Sequence, residues 1–279
     1  MYIEKISGKK LTTIGIGGEC TVFVPEDEKE LSEVMKIENL FVIGGGSNVV
    51  IPDNSKDLNF VSLKNFRSVR IGSGSLICGG GVKISQILKL QMKEQFSMFE
   101  FLAGVPKITV GGAVAQNAGA FGTETVSFLK RLVFINRNGD FEELKDFGFF
   151  GYRNSPFPDF GIIYEAEFEF SKCKGVRLMI EDKVKMRLKN HPHFSIKTAG
   201  STFKNPKENF AGFFIDKAGL KGFSVGDISV SSKHANFLIN RGNATFGDFC
   251  KIVDIVREKV LKLFDVELEL ELKVPCFNG

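Results

Sequence analysis

Apolar and polar positions along this chain follow two periods, one helical and one strand-like, and the switches between them mark its elements. Residues 21–24 read as a strand. Asp27 stands where a helix N-cap belongs, with Leu31, Val34 and Met35 following on one face. Residues 40–43 form a second strand that runs into Gly44-Gly45-Gly46-Ser47-Asn48. Short alternating strands follow from Leu58, through 69–71 and 76–78, before Gly79-Gly80-Gly81 and a helix carrying Ile84, Ile87, Leu88 and Met92. After a small-residue stretch from Gly104 to Gly122, strands are predicted over 131–136 and 162–170, with a turn at Asn138-Gly139. A charged helix over 176–188 leads to a last segment. There Thr245 precedes an amphipathic helix aligned on Ile252, Val256, Val260 and Phe264, and an alternating strand over 266–272 closes the pattern. This alternation predicts an α+β protein with breaks near 61–64 and 172.

Composition narrows the class. The 279 residues are 43% hydrophobic and 25% charged, enough to bury a core in two or three units. A net charge of +4, with both signs interleaved, excludes a nucleic-acid footprint and leaves room for a small anionic ligand. The five cysteines, Cys20, Cys78, Cys173, Cys250 and Cys276, show neither zinc spacing nor a disulfide framework. Buried thiols in a reducing compartment are expected. The N-terminus has no signal-peptide core and no run is long enough for a membrane helix, so the expected location is the cytoplasm.

The glycines carry the first chemical signal. Gly44 to Asn48 suits a pyrophosphate, because backbone N–H groups approach an anion closely where no Cβ intervenes; it equally suits a plain tight turn. Neither G-x-G-x-x-G opening a helix nor a P-loop is present. The second stretch is more telling. Gly104, Pro106, Gly111, Gly112, Ala113, Asn117, Ala118, Gly119, Ala120 and Gly122 leave few large polar side chains where a core segment would carry branched aliphatics. Two such loops imply a large phosphorylated cofactor.

Ordered fragments across nearly the whole chain resemble the UDP-N-acetylenolpyruvoylglucosamine reductases. They are Thr12-Thr13 with Gly17-Gly18, the 43–50 loop, Gly104-Val105-Pro106 with Gly111-Gly112-Ala113, and Asn117-Ala118-Gly119-Ala120-Phe121-Gly122. Further on come Gly151-Tyr152-Arg153-Asn154-Ser155, Ala199-Gly200-Ser201-Thr202-Phe203-Lys204-Asn205-Pro206, Ala211-Gly212 with Gly219-Leu220-Lys221-Gly222, and His234-Ala235-Asn236-Phe237.

The resemblance implies a two-subdomain FAD-binding fold of the PCMH/vanillyl-alcohol-oxidase type plus a C-terminal α+β substrate-binding domain. The expected division is 1–62, 63–172 and 173–279, with the terminal strand returning to the active site. It implies non-covalent FAD held by Gly44, Gly45, Gly46, Ser47, Asn48, Gly104, Val110, Gly111, Gly112, Asn117, Ala118 and Gly119, with NADPH as co-substrate. Ser201 matches the proton donor, Arg153 the arginine that holds the substrate carboxylate, and Glu271 the terminal acidic residue. Tyr152, Lys204, Asn205 and Lys221 resemble contacts of a nucleotide-sugar substrate. A monomer acting on a small molecule is expected, with neither nucleic acid nor membrane as partner.

The chain departs from the family pattern in places. The run Gly104-Val105-Pro106-Lys107-Ile108-Thr109-Val110-Gly111-Gly112 is one residue longer than usual, with Lys107 where a glycine is common. Leu11 and Gly15 replace a family asparagine and basic residue. The short separation of Arg153 from Ser201 resembles the branch without a tyrosine-bearing lid. A flavin oxidase or dehydrogenase of the same fold, acting on a small alcohol or hydroxy acid, is the competing reading. Its covalent histidine link is disfavoured, since His191, His193 and His234 all lie outside the two glycine-rich loops. A silent nucleotide-binding module, colourless when purified, is the other alternative.

Overall fold

In the computed structural model, which describes residues 1–157 and 159–275, the helix behind Asp27 runs Glu28–Val34. Asp27 Oδ1 accepts from Glu30 N at 2.8 Å, so the cap satisfies an N–H that the helix leaves orphaned. Leu31 and Val34 are buried against Leu40, Val61, Ile135 and Ile162. This helix connects strands Glu19–Val24 and Leu40–Val42; Asn59–Val61 lies between them, parallel to both, and Tyr2–Ser7 completes the four-stranded sheet.

A second sheet has the order Phe141–Leu144, Leu129–Asn136, Gly161–Glu169, Ser75–Gly79, Val69–Ile71, antiparallel throughout. Alternation sends Leu132 and Phe134 into the core and Arg131 outward, where it bridges Glu165 at 2.9 Å and Glu143 and Glu167 at 3.3 Å. Helix Ile84–Glu94 buries Ile84, Ile87 and Leu88 in the same core. Its one fully buried polar side chain, Gln91, is satisfied by Phe96 O, Phe99 N and Glu100 Oε2. Apart from residues 6–7 and 19–20 at the ends of two strands, these elements belong to the first of two compact units, built from Met1–Lys5, Thr21–Gly45 and Leu58–Met186.

The second unit takes Ile6–Cys20, Gly46–Asp57 and the chain from Arg187 onward. Its long helix, Phe246–Phe264, starts on a reciprocal capping box: Thr245 Oγ1 accepts from Asp248 N and Asp248 Oδ2 from Thr245 N, both at 3.0 Å. Ile252, Val256 and Val260 are buried, as their spacing predicts. Helix Ala211–Lys217 and a three-stranded sheet, Ser224–Val225, Ile228–Val230 and Leu238–Asn240, complete it. Neither is legible in the hydrophobic pattern, because each element is only a few residues long.

The strand expected over 266–272 is not a ladder strand. Val266, Leu268 and Leu272 are buried and Glu267 and Glu269 exposed, so the alternation is real, but only Leu270 and Lys273 form bridges, with Phe203 and Val49. Its neighbours are loop segments that run alongside for two or three residues, too short for a regular ladder. Of the thiols expected to be buried, Cys20 and Cys78 are, whereas Cys173 and Cys250 are only partly covered; Cys276 lies outside the described residues.

Candidate active site

The strand Leu40–Val42 delivers the chain to Gly44 through Asn48. The backbone N–H groups of Gly44, Gly45, Gly46, Ser47 and Asn48 donate to no acceptor among the described residues. Five consecutive unengaged amides are what an anion-binding loop offers and what a turn closed by its own hydrogen bonds does not. Gly45 has a second reason to be glycine: a Cβ there would stand 1.7 Å from the Lys107 carbonyl oxygen, far inside contact distance. Thus the two glycine-rich loops meet at Gly44, Gly45, Lys107 and Thr109. Lys107 itself holds φ +55°, the left-handed conformation usually left to glycine, and its side chain is exposed without an ion partner among the described residues.

The second loop contributes shape more than donors. Val110–Ala115 is a short helix, N-capped by Thr109, whose Oγ1 accepts from Gly112 N at 3.2 Å. Val110 N and Gly111 N are engaged by Val82 O and Gly80 O, and the Val110 side chain is buried. Gly104 turns the chain at φ +82°. Asn117, fully buried, uses its whole amide on protein: Nδ2 donates to Glu124 Oε2 at 3.0 Å and to Gly151 O at 2.9 Å, and Oδ1 accepts from Val126 N at 3.1 Å. Ala118 O is taken by Thr125. The Nε2 of the neighbouring Gln116 is the exception, a buried donor without a partner among the described residues. An acceptor-rich flavin ring or phosphate would satisfy Gln116 Nε2 and the open amides of Gly44 and Gly45, which belong to the same unit, so these residues fit FAD.

Arg153 sits on this loop. Its Nη2 donates to Gly119 O at 2.6 Å, its Nη1 lies 3.8 Å from Glu124 Oε1, and its guanidinium stands 5.0 Å from the centre of the Tyr152 ring. Tyr152 is exposed.

In the second unit, residues 201–204 lie between two extended segments. On one side Thr202 N donates to Asn236 O, while the Asn236 amide clamps both the N–H and the carbonyl of Phe203. On the other, Glu271 N donates to Thr202 O and Lys204 N to Glu269 O. Segment 48–50 pairs in turn with 271–273: Asn48 Nδ2 donates to Glu271 O at 3.1 Å, Lys273 N to Asn48 O, and Val50 N to Lys273 O. Ser47, Asn48, Ser201 and Glu271, far apart in the chain, are therefore neighbours.

Ser201 Oγ makes no hydrogen bond among the described residues, so it does not close the turn at Gly200. It lines a cleft of about 340 Å³ with Asn205, Phe213, Lys221, Lys233 and His234. Lys221 pairs with Asp216 at 2.6 Å, and Asn205 Oδ1 accepts from Ala211 N, starting the helix there. Lys204 is drawn to Glu269 at 2.5 Å, a carboxylate whose side chain is 71% exposed. Between the two glutamates of this register, Glu269 is thus the solvated one, whereas Glu271 is half-buried.

Two residues without an assigned role belong to this site. Asn236 is the clamp on Phe203, and His234 lines the cleft; both were visible only as members of a motif. His234 Nδ1, Thr198 Oγ1 and Thr202 Oγ1 are buried without partners among the described residues. Burial, then the neighbouring His234, Arg187 and Lys233, push His191 down to about 4. A histidine whose folded pKa lies below its ordinary 6.5 is protonated first in the unfolded chain, so this contribution destabilises the fold as pH falls from about 6.5 to about 4. Urea midpoints measured across that window should fall more steeply for the parent than for His191→Phe. Parallel curves would contradict the assignment.

Comparison with known proteins gives a consistent picture. Residues 191–275 match the model of the UDP-N-acetylenolpyruvoylglucosamine reductase C-terminal domain, and residues 21–145 that of an FAD binding domain. The chain is 38% identical over 288 residues to UDP-N-acetylenolpyruvoylglucosamine reductase of Aquifex aeolicus, covering 100% of this chain and 97% of that one. The Thermotoga maritima protein of the same name is 33% identical, with 96% of each chain covered. Among solved structures, UDP-N-acetylenolpyruvylglucosamine reductase from Thermus caldophilus superposes with a TM-score of 0.86 at 29% identity, covering 98% of this chain and 99% of that one. Berberine bridge enzyme bound to (S)-reticuline shares the fold alone, with a TM-score of 0.50 at 14% identity, over 61% of this chain and 40% of that one.

Proposed function

Because the chain belongs to the UDP-N-acetylenolpyruvoylglucosamine reductases, we propose that it reduces UDP-N-acetylglucosamine enolpyruvate to UDP-N-acetylmuramate with NADPH, through bound FAD, in peptidoglycan precursor synthesis. Bound FAD supplies the transfer of hydride from the nicotinamide to the activated double bond. The protein's own task is to hold the nucleotide-sugar, polarise its enolpyruvyl carboxylate and deliver one proton.

The observation that carries the site assignment is the Ser201 hydroxyl, unengaged among the described residues and lining a cleft with cationic and amide side chains. Ser201 Oγ donates the proton to the carbon that becomes carbanion-like. Arg153 fits the carboxylate because its planar fork suits bidentate recognition. Glu271 shares the polarisation of the enolpyruvyl group. Lys204, Asn205 and Lys221 hold the nucleotide-sugar phosphates, and Tyr152 flanks the arginine. Gly44 through Asn48 offer their amides to the FAD phosphates, while Gly104, Val110, Gly111, Gly112, Asn117, Ala118 and Gly119 shape the surface against which the cofactor lies. In this reading 1–62 and 63–172 carry FAD, 173–279 carries the substrate, and the enzyme acts as a monomer in the cytoplasm. No helix among the described residues is long and apolar enough to cross a membrane.

Purified protein is expected to be yellow, to bleach with NADPH, and to recover its colour when the enolpyruvyl nucleotide-sugar is added. A protein that cannot be reconstituted with FAD, or whose reduced flavin ignores this substrate while a small alcohol reduces the oxidised form, would reject the reading.

A further inference from the structure

The hairpin Gly119–Ala120/Thr123–Glu124 does more than border the cofactor loop. Three left-handed residues without a glycine's freedom gather around it: Asn117 at φ +40°, Phe121 at φ +55° and Arg153 at φ +52°. Backbone strain of this kind persists where the surroundings over-determine it, and it gathers at sites that need a side chain aimed. Here the side chain is that of Arg153.

We infer that Glu124 is a positioning residue for Arg153, holding its guanidinium in the orientation that receives the substrate carboxylate; this rests on the assignment of Arg153 above. The geometry is closed on three sides. Glu124 divides its carboxylate, Oε1 lying 3.8 Å from Arg153 Nη1 and Oε2 accepting from Asn117 Nδ2 at 3.0 Å. The same Asn117 amide donates to Gly151 O at 2.9 Å, tying down the chain two residues before Arg153. Gly119 supplies the third side, its carbonyl accepting from Nη2 at 2.6 Å.

A Cβ on Gly119 would stand 3.0 Å from Arg153 Nη1, 2.9 Å from Glu124 Cγ and 2.6 Å from Thr123 O, so this glycine leaves the space the ion pair occupies. The Arg153 side chain is 15% exposed and that of Glu124 32%, which places the pair where solvent only partly screens it. Two electrostatic effects oppose each other. Glu124 restrains the guanidinium, and it also competes with an incoming carboxylate for the same charge. At 3.8 Å the contact is longer than a hydrogen bond, so Glu124 acts on the guanidinium through its charge and claims none of its N–H groups for itself.

The test is the dissociation constant of the enolpyruvyl nucleotide-sugar on oxidised holoenzyme, measured by calorimetry without NADPH, alongside flavin bleaching by NADPH alone. Glu124→Gln should raise that constant about tenfold and leave the bleaching rate unchanged, with Glu124→Asp recovering part of the loss. In an Arg153→Ala background Glu124→Gln should add less than about twofold, because a residue acting through the arginine has nothing left to position. Substrate that binds Glu124→Gln as tightly as, or more tightly than, the parent would overturn the proposal, as would full additivity with Arg153→Ala. If Arg153→Ala itself leaves binding intact, the assignment of Arg153 fails and the proposal falls with it. If Arg153→Ala weakens binding but Glu124→Gln does not, only the proposal fails.

Discussion

Ser201→Ala should keep flavin reduction by NADPH at its parent rate and slow reoxidation by the enolpyruvyl substrate by about 10²–10⁴-fold, equivalent to roughly 3–5 kcal/mol of barrier. The split follows from what each half-reaction requires. Transfer from the nicotinamide needs no proton at the substrate carbon, whereas saturation of the double bond does. The structure makes the variant a clean one, since Ser201 Oγ holds no hydrogen bond among the described residues and the strand-like position of residue 201 is set by backbone bonds to Asn236 and Glu271 through Thr202. Stopped-flow absorbance of the flavin separates the steps. Equal slowing of both would indicate disturbed cofactor binding, and an unslowed second step would assign the proton to another group.

Gly45→Val is expected to cost both the cofactor and part of the fold. Its side chain would meet the Lys107 carbonyl, a backbone group with no rotamer to yield, so the two loops must separate. Overpacking of this kind typically costs about 1–3 kcal/mol, and each kcal/mol lowers Tm by roughly 2–4 °C in a chain of this size. Gly112→Val is the informative companion. A Cβ there meets only Thr109 Oγ1, at 3.2 Å, so FAD occupancy should fall with a smaller change in Tm. The sequence alone treats the two glycines alike, as places where a cofactor needs bare backbone. The structure separates them, because at Gly45 the close neighbour is the protein itself. Full flavin content in both variants, with unchanged melting, would remove the two-loop cradle.

Much of this protein was legible without coordinates, wherever the cause is local. Asp27 and Thr245 cap the helices they precede because a cap bonds to an N–H three residues away, a distance any short window contains. The glycine-rich loops and the ordered motifs identified the family for a similar reason, each being a contiguous stretch whose composition is itself the constraint. Hydrophobic alternation over 266–272 correctly oriented Leu268 and Leu272 inward and Glu269 outward.

What only tertiary structure decided depends on partners distant in sequence. Alternation states which side chains face inward but not what lies alongside, so it could not show that 266–272 borders loops at 48–50 and 201–204 in place of a sheet. Residues 6–20 and 46–57 join the C-terminal unit through contacts that no local period records. Asn117 reads as a cofactor contact, yet its amide is consumed by Glu124, Gly151 and Val126, and Glu124 reads as nothing in particular until Arg153 is folded against it. A side chain's chemistry is written in its residue type; whether that chemistry is spent on the protein or left for a ligand is settled by which groups the fold brings within about 3 Å of it.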